Sequence, residues 1–294
     1  MKYTSNITID RLKLCYTVDT TIAKEFWEMT TESNFGNFKI SPEIKRVPPH
    51  QKSYNIQLYS PTKKSDWIDF ATMSFGSKMD NEETLKKETQ YVWIELYNKV
   101  LYTSTTTDKN QSIAKYIFDI TDSLSFDLNN ITRLEIAYDC YKNMANRIKR
   151  AIMNKNFVPI VNGKAQFDIT KVIDDVLFIR TINQLRFKTM SLYVRPKANK
   201  QISLKAYDKG CEITKKKKEY VKDYIGMTDN FFRAEISLQN EPIKEYLNKT
   251  KTDVQTFLDN VLMNEDFRTQ IFSYYSNRLL RFRTPDGLKS VLDI

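Results

Sequence analysis

Three short segments constrain the fold of this chain most: ITRLEIAYD (131–139), ISLKAYDKGCE (202–212) and FFRAEISL (231–238). Each alternates apolar and polar residues with period two, the pattern of a strand with one buried face. Arg133, Glu135, Ala137 and Asp139 then share a face, as do Ser203, Lys205, Tyr207 and Lys209, and Arg233, Glu235 and Ser237. The opposite faces carry Leu134, Ile136 and Tyr138, then Leu204 and Ala206, then Ala234, Ile236 and Leu238. Such strands build a sheet with one apolar face to be covered. The other face holds carboxylates, cations and a tyrosine, as a working surface would.

The rest of the chain reads as α+β: antiparallel sheets with packed helices. Strands are expected at 7–16, 55–60, 68–76 and 90–98, the last placing Glu95 inside the β-prone run YVWIELY. Helices are expected at 20–30, capped by Thr20 or Thr21, and at 107–125, where Ile113, Tyr116, Ile117 and Ile120 recur at helical spacing. A basic helix over 143–156 carries Arg147, Lys149, Arg150 and Lys155, a pattern that usually marks a solvated face. LRFKTMSLYV and QISLKAYDK form a hairpin joined by RPKANK, and DITKVIDDVLFI is a hairpin or a small helix. Past 240 the texture turns helical. Val254, Phe257, Leu258, Val261 and Leu262 follow one helix capped by Thr252 or Asp253, and a second helix runs to Arg281 or Phe282, where TPDG stops it. The expected organisation is a catalytic domain over 1–240, in which strand-helix-strand units recur in both halves, and a helical C-terminal extension over 241–294.

Charge and composition narrow the function. Net charge is +10, aromatic content is 13%, and there are only 6 Gly. A basic, aromatic-rich chain suits a polyanion such as nucleic acid, and so few glycines argue against a glycine-rich nucleotide loop. Charge kept for solubility is the plainer explanation. Cys15, Cys140 and Cys211 are an odd set without metal-ligand spacing, as expected for reduced thiols in a cytoplasmic protein. MKYTSNITID has no signal-peptide character, and no stretch approaches the roughly 20 apolar residues of a membrane span. The one histidine, His50, rules out two-histidine metal sites within a chain and leaves catalysis to carboxylates, Tyr and Lys.

If the strands are neighbours, Glu135, Asp139 and Glu235 converge. Like charges so close call for a cation, and oxygen ligands suit Mg²⁺ or Mn²⁺. Cross-strand pairs, Arg133 with Glu235 and Arg233 with Glu135, explain the same charges without a function. Tyr207 stands with Lys205, Lys209 and Glu212 around it. A free phenol, with a pKa of about 10, is a poor nucleophile at neutral pH. Neighbouring lysines and a divalent ion favour its phenolate, and phosphotyrosine conserves the energy of a phosphodiester that must be re-formed.

In this order the three segments resemble the replication initiator family of rolling-circle plasmids typified by staphylococcal plasmids, with relatives on integrative elements and phages. That family carries T-R-(L/I)-D-(L/I)-x-x-D, then R-(I/V)-Y-(N/D)-K-x-x-E, whose tyrosine is the nicking nucleophile, then R-V-E-(I/L)-E-L. Thr132, Arg133, Leu134, Glu135, Ile136 and Asp139 match the first motif. Tyr207, Asp208, Lys209 and Glu212 match the second, and Arg233, Glu235, Ile236 and Leu238 the third. ITIDRLKL is similar to the family's opening strand. Glu135 stands where the family has Asp, Lys205 where it has Arg, Ser237 where it has a second Glu, and VRPKANK where it has a glycine turn.

The resemblance implies a metal-dependent nickase. Tyr207 would attack an origin phosphate, leaving a 3′-hydroxyl and a 5′-phosphotyrosine, with Lys209 assisting. Glu135, Asp139 and Glu235 would hold Mg²⁺ or Mn²⁺, and Arg133, Lys205 and Arg233 would contact the backbone. The run Lys215, Lys216, Lys217 and Lys218 and the helical C-terminal part are the candidates for origin-duplex binding. The resemblance also implies a homodimer and a host helicase partner. Two rivals remain. A non-catalytic DNA-binding protein would hold Tyr207 away from the carboxylates. An RNA-binding sheet would show aromatics such as Trp93, Tyr97 and Tyr138 on its exposed face.

Overall fold

Each charged segment contains a strand. The computed structural model describes residues 5–43, 52–59, 67–76, 83, 86–104, 110–161, 163–165, 177–180, 191–195, 201–226 and 231–294. His50, most of DITKVIDDVLFI and all of the RPKANK turn but Arg195 lie outside them. The fold is α+β. Contacts divide the chain into two units: Met1–Asp10 with Glu135–Glu245 and Asn264–Ile294, and Arg11–Leu134 with Tyr246–Met263. This division falls elsewhere than at 240/241, because Tyr246–Met263 joins the second unit while Asn264–Ile294 joins the first.

The sheet of the second unit contains the C-terminal part of β1 (Ser5–Asp19), then β2 (Ser33–Phe35), β3 (Phe38–Pro42), β4 (Ser53–Tyr59), β5 (Trp67–Phe75), β6 (Thr89–Leu96) and the N-terminal part of β7 (Asp127–Cys140). Its order is β7-β1-β6-β5-β4-β3-β2. The inward side chains Leu12, Leu14, Tyr16 and Val18 are buried, as are Val92, Ile94 and Leu96. Helix α1 (Thr20–Glu28) is capped by Asp19, whose carboxylate accepts from Thr21 N at 2.7 Å, rather than by either threonine. Helices α2 (Asn98–Ser104) and α3 (Asn110–Ser123) follow.

The first unit has two sheets. One runs β10-β11-β12-β13-β7-β1, with β10 (Leu177–Arg180), β11 (Ser191–Val194), β12 (Ile202–Asp208) and β13 (Phe232–Gln239) joined to the C-terminal part of β7 and the N-terminal part of β1. The other runs β15-β14-β8-β9, from β8 (Val158–Val161), β9 (Lys164–Ala165), β14 (Leu280–Thr284) and β15 (Gly287–Ser290). Between these strands come α4 (Met144–Met153), capped by Asn143, then α5 (Lys209–Lys216) and α6 (Tyr220–Ile225).

The C-terminal segment is not purely helical. Helices α7 (Asn240–Thr250), α8 (Val254–Met263) and α9 (Glu265–Leu279) are followed by the β14–β15 hairpin. The last helix stops at Leu279 because LRFR alternates. Leu280 and Phe282 are buried, and the strand pairs with β8 through Leu280↔Val161 and Phe282↔Pro159. TPDG is then the hairpin turn, with Gly287 at φ +117°, a conformation that favours glycine. Asp253 caps α8, its carboxylate accepting from Thr256 N at 2.8 Å. No helix among the described residues is long and apolar enough to cross a membrane.

Candidate active site

Register places the polar side chains of the first unit side by side. Strands β12 and β13 run antiparallel, with Tyr207 opposite Arg233, Lys205 opposite Glu235 and Ser203 opposite Ser237. Residues directly opposite project from one face, so these six form a single polar patch. Glu135 and Asp139 come to it from β7, and Asp10 from β1. The other face is apolar and closed: Leu204, Ala206, Ala234, Ile236 and Leu238 are all fully buried.

Arg233 organises the patch. Its guanidinium is fully buried and grips Asp139 with two bonds, Nε to Oδ1 at 2.7 Å and Nη2 to Oδ2 at 2.6 Å. The remaining arm, Nη1, donates to Asp10 Oδ1 at 2.5 Å. Asp139 is thus committed to a bidentate ion pair and lies outside the carboxylate cluster expected from its spacing. Arg133 is half-buried and belongs to the second unit, while Glu235 Oε1 accepts from Lys205 Nζ at 3.3 Å. Ser237, at the departure from the third motif, donates its hydroxyl to Glu135 Oε1 at 3.0 Å.

The carboxylates that do converge are Asp10, Glu135 and Glu235, one oxygen of each lying within 4.8 Å of the others. Oxygens in adjacent positions around Mg²⁺ lie about 3 Å apart, so small side-chain movements would close this triad on an ion. The donor set is oxygen-only, which suits Mg²⁺ or Mn²⁺. Glu135 and Glu235 are almost entirely buried. Burial first, then the charges of Asp10 and Glu135, push the Glu235 carboxyl above its ordinary range, a crowding that a cation relieves. The residues therefore fit a divalent cation. Asp10 escaped the sequence reading, although a signal was there. Between Ile9 and Leu12 the apolar phase of β1 shifts by one residue, leaving Asp10 and Arg11 as consecutive polar positions.

Tyr207 stands one residue before the end of β12, beside this triad. Its hydroxyl donates to Glu235 Oε2 at 3.1 Å. The chain then turns at once into α5, capped by Asp208, whose carboxylate accepts from Cys211 N at 2.8 Å. Lys209, read from alternation as the next strand residue, is instead the first residue of the helix. Both Lys209 N and Gly210 N donate to Phe231 O at 3.1 Å. This turn brings Lys209 Nζ to 3.4 Å from the Tyr207 hydroxyl and 2.7 Å from Glu212 Oε2. Glu212 also takes Lys216 at 2.6 Å, and its two lysines hold its carboxyl down at about 2 despite burial.

The electrostatics differ from the sequence expectation. Burial and then Glu235 push the Tyr207 phenol well above its ordinary value, outweighing the opposite pull of Arg233. Burial and then Arg233 draw Lys209 down, opposed by Asp10 and Glu212. Without a bound cation the site thus holds Tyr207 as a neutral hydrogen-bond donor rather than a phenolate.

Lys215, Lys216 and Lys217 are exposed and Lys218 is half-buried at the end of α5. Among the aromatics, Trp93 and Tyr97 belong to the second unit, and Tyr138 packs on Phe272 at 6.0 Å in the first.

No protein-family model and no curated protein matches the chain. Among solved structures, the chain is similar to a rolling circle replication initiator protein from Geobacillus stearothermophilus, at 14% identity and a TM-score of 0.47, over 95% of this chain and 87% of that one.

Proposed function

We propose that the protein is a replication initiator that nicks one DNA strand with Tyr207 as nucleophile. The observation that carries this reading is the hydrogen bond of 3.1 Å from the Tyr207 hydroxyl to Glu235, itself one of three clustered carboxylates. The motif resemblance points to the same residue.

The chemistry follows from the contacts. Tyr207 passes its proton to Glu235 Oε2 as its oxygen attacks a backbone phosphorus. The bond to the 3′ oxygen breaks, that oxygen takes a proton from solvent, and a 5′-phosphotyrosine remains on the protein. Glu235 suits the role of base because its Oε2 already accepts the hydrogen bond from the Tyr207 hydroxyl. Lys209 stands close enough to neutralise charge on the phosphate oxygens, and Glu212 aims its ammonium there. Lys205 keeps the other Glu235 oxygen occupied. Asp10, Glu135 and Glu235 would hold Mg²⁺ or Mn²⁺, which would polarise the scissile phosphate as a Lewis acid. Asp139 serves Arg233, and Arg233 fixes Asp10. The reverse reaction rejoins a strand without external energy.

Origin DNA is the substrate in this proposal, with Lys215, Lys216, Lys217 and Lys218 as phosphate contacts. A homodimer and a host helicase partner follow from the family resemblance, and a cytoplasmic setting from the unpaired thiols. The test is incubation with supercoiled DNA carrying the cognate replicon and Mn²⁺. The wild type should relax or nick it, and Tyr207→Phe should not. Equal nicking by Tyr207→Phe would move the nucleophile elsewhere.

A further inference from the structure

A concavity lies in the first unit, sharing no residue with the Tyr207 site. Its volume is about 610 Å³, and Gly163, Tyr274, Asn277, Arg278 and Arg281 line it. The sequence explains the convergence. Tyr274, Asn277 and Arg278 stand at i, i+3 and i+4 on α9, one face of the helix, and Arg281 follows two residues after the helix ends. Gly163 turns β8 into β9 at φ +80°, and a side chain built there would meet nothing within 4 Å.

The charges in this concavity are one-sided. Among the described residues no carboxylate lines it. Arg278 shares one nitrogen, Nη1, with Glu245 at 2.7 Å, and its side chain stays 38% exposed. Arg281 is different. Its Nε is buried with no hydrogen-bond partner, and its side chain makes no ion pair among the described residues. A buried guanidinium N–H without an acceptor is rare and points to a group supplied from outside. Two arginine forks, a carboxamide and a phenol around an open glycine turn are the donors that a phosphate ester, with its several acceptor oxygens, would use.

We infer that this concavity is a binding site for a nucleic-acid backbone phosphate, with Arg281 as its principal ligand. The site rests on the DNA-binding part of the proposed function and not on the nicking step. It positions the duplex without reading bases.

The experiment measures binding of the full chain to a duplex oligonucleotide by fluorescence anisotropy across a salt series. In Arg281→Gln the slope of log K against log salt should flatten by about 0.9, the value for one phosphate contact. Affinity should fall severalfold at moderate salt whatever the duplex sequence. Arg281→Lys should restore most of the slope, and circular dichroism melting confirms that each variant folds. An unchanged slope in a folded Arg281→Gln overturns the inference. It is also overturned if ATP or inorganic phosphate raises the melting temperature of the wild type but not of Arg281→Gln while the DNA slope stays the same. That outcome would assign the site to a small phosphate compound. A slope change at Arg281 in a protein that nicks no DNA would retain this site and remove the nickase.

Discussion

The two units carry sheets of the same alternating design but treat the charges on the polar face differently. In the second unit those charges stay near water: Arg11 and Glu95 pair at 41% and 25% side-chain exposure, and Lys13 lies 4.0 Å from the same carboxylate. In the first unit Asp139 and Arg233 are wholly enclosed, with Glu135, Glu235 and Lys209 almost so. An exposed ion pair forms at little cost and contributes little. An enclosed one survives only with near-complete pairing, and a single lost partner leaves a desolvated charge. Alternation therefore does not set the candidate site apart; the enclosure of opposed charges around one tyrosine hydroxyl does.

The largest effect expected to separate the units is on activity. Glu235→Gln should lower nicking by about 10²- to 10⁴-fold, the usual contribution of a positioned base, while Glu95→Gln should leave it within about twofold. A gel assay on supercoiled DNA measures both, and equal losses would erase the distinction. Next comes stability. Arg233→Met strands Asp139 and Asp10 and should destabilise by about 3–5 kcal/mol in urea unfolding, against about 1 kcal/mol or less for Arg11→Met.

Cation binding sharpens the contrast further. Mn²⁺ at a hundred times its dissociation constant should stabilise the wild type by about 2.7 kcal/mol, and chelation should reverse the gain. Asp10→Asn should abolish most of it. The smallest effect concerns pH. The Glu212 carboxyl is held down at about 2 when folded, so its stabilisation is complete above its ordinary value of 4.5 and fades as pH falls toward 2. Glu212→Gln should cost about 1.5 kcal/mol at pH 7, and the difference from wild type should close across that acid window in pH-resolved unfolding. A gap that persists at pH 2 would mean that Glu212 acts through shape, not charge.

Much of this was legible in the sequence because period two is a strong signal. It assigned the apolar faces of β7, β12 and β13 and put Tyr207, Arg233 and Glu235 on the same side. It failed where geometry crosses strands. Glu135 and Asp139 share a face, but four residues of strand separate them by about 13 Å, too far for one ion. The third carboxylate comes from Asp10, far away in sequence, and only the broken phase at Asp10 and Arg11 hinted at it. Alternation also carried Lys209 along the strand, whereas the Asp208 cap starts a helix there and turns the lysine back to Tyr207. The end of α9 was missed because Leu280 and Phe282 fit a helical count as well as a strand until β8 supplies a partner.

The most direct measurement is peptide mass spectrometry of the protein trapped on cognate supercoiled DNA with Mn²⁺. The account predicts a nucleotide adduct on the peptide bearing Tyr207, attached through a 5′ phosphate, and absent from Tyr207→Phe. An adduct on another residue, or nicking by Tyr207→Phe at the wild-type rate, would contradict it.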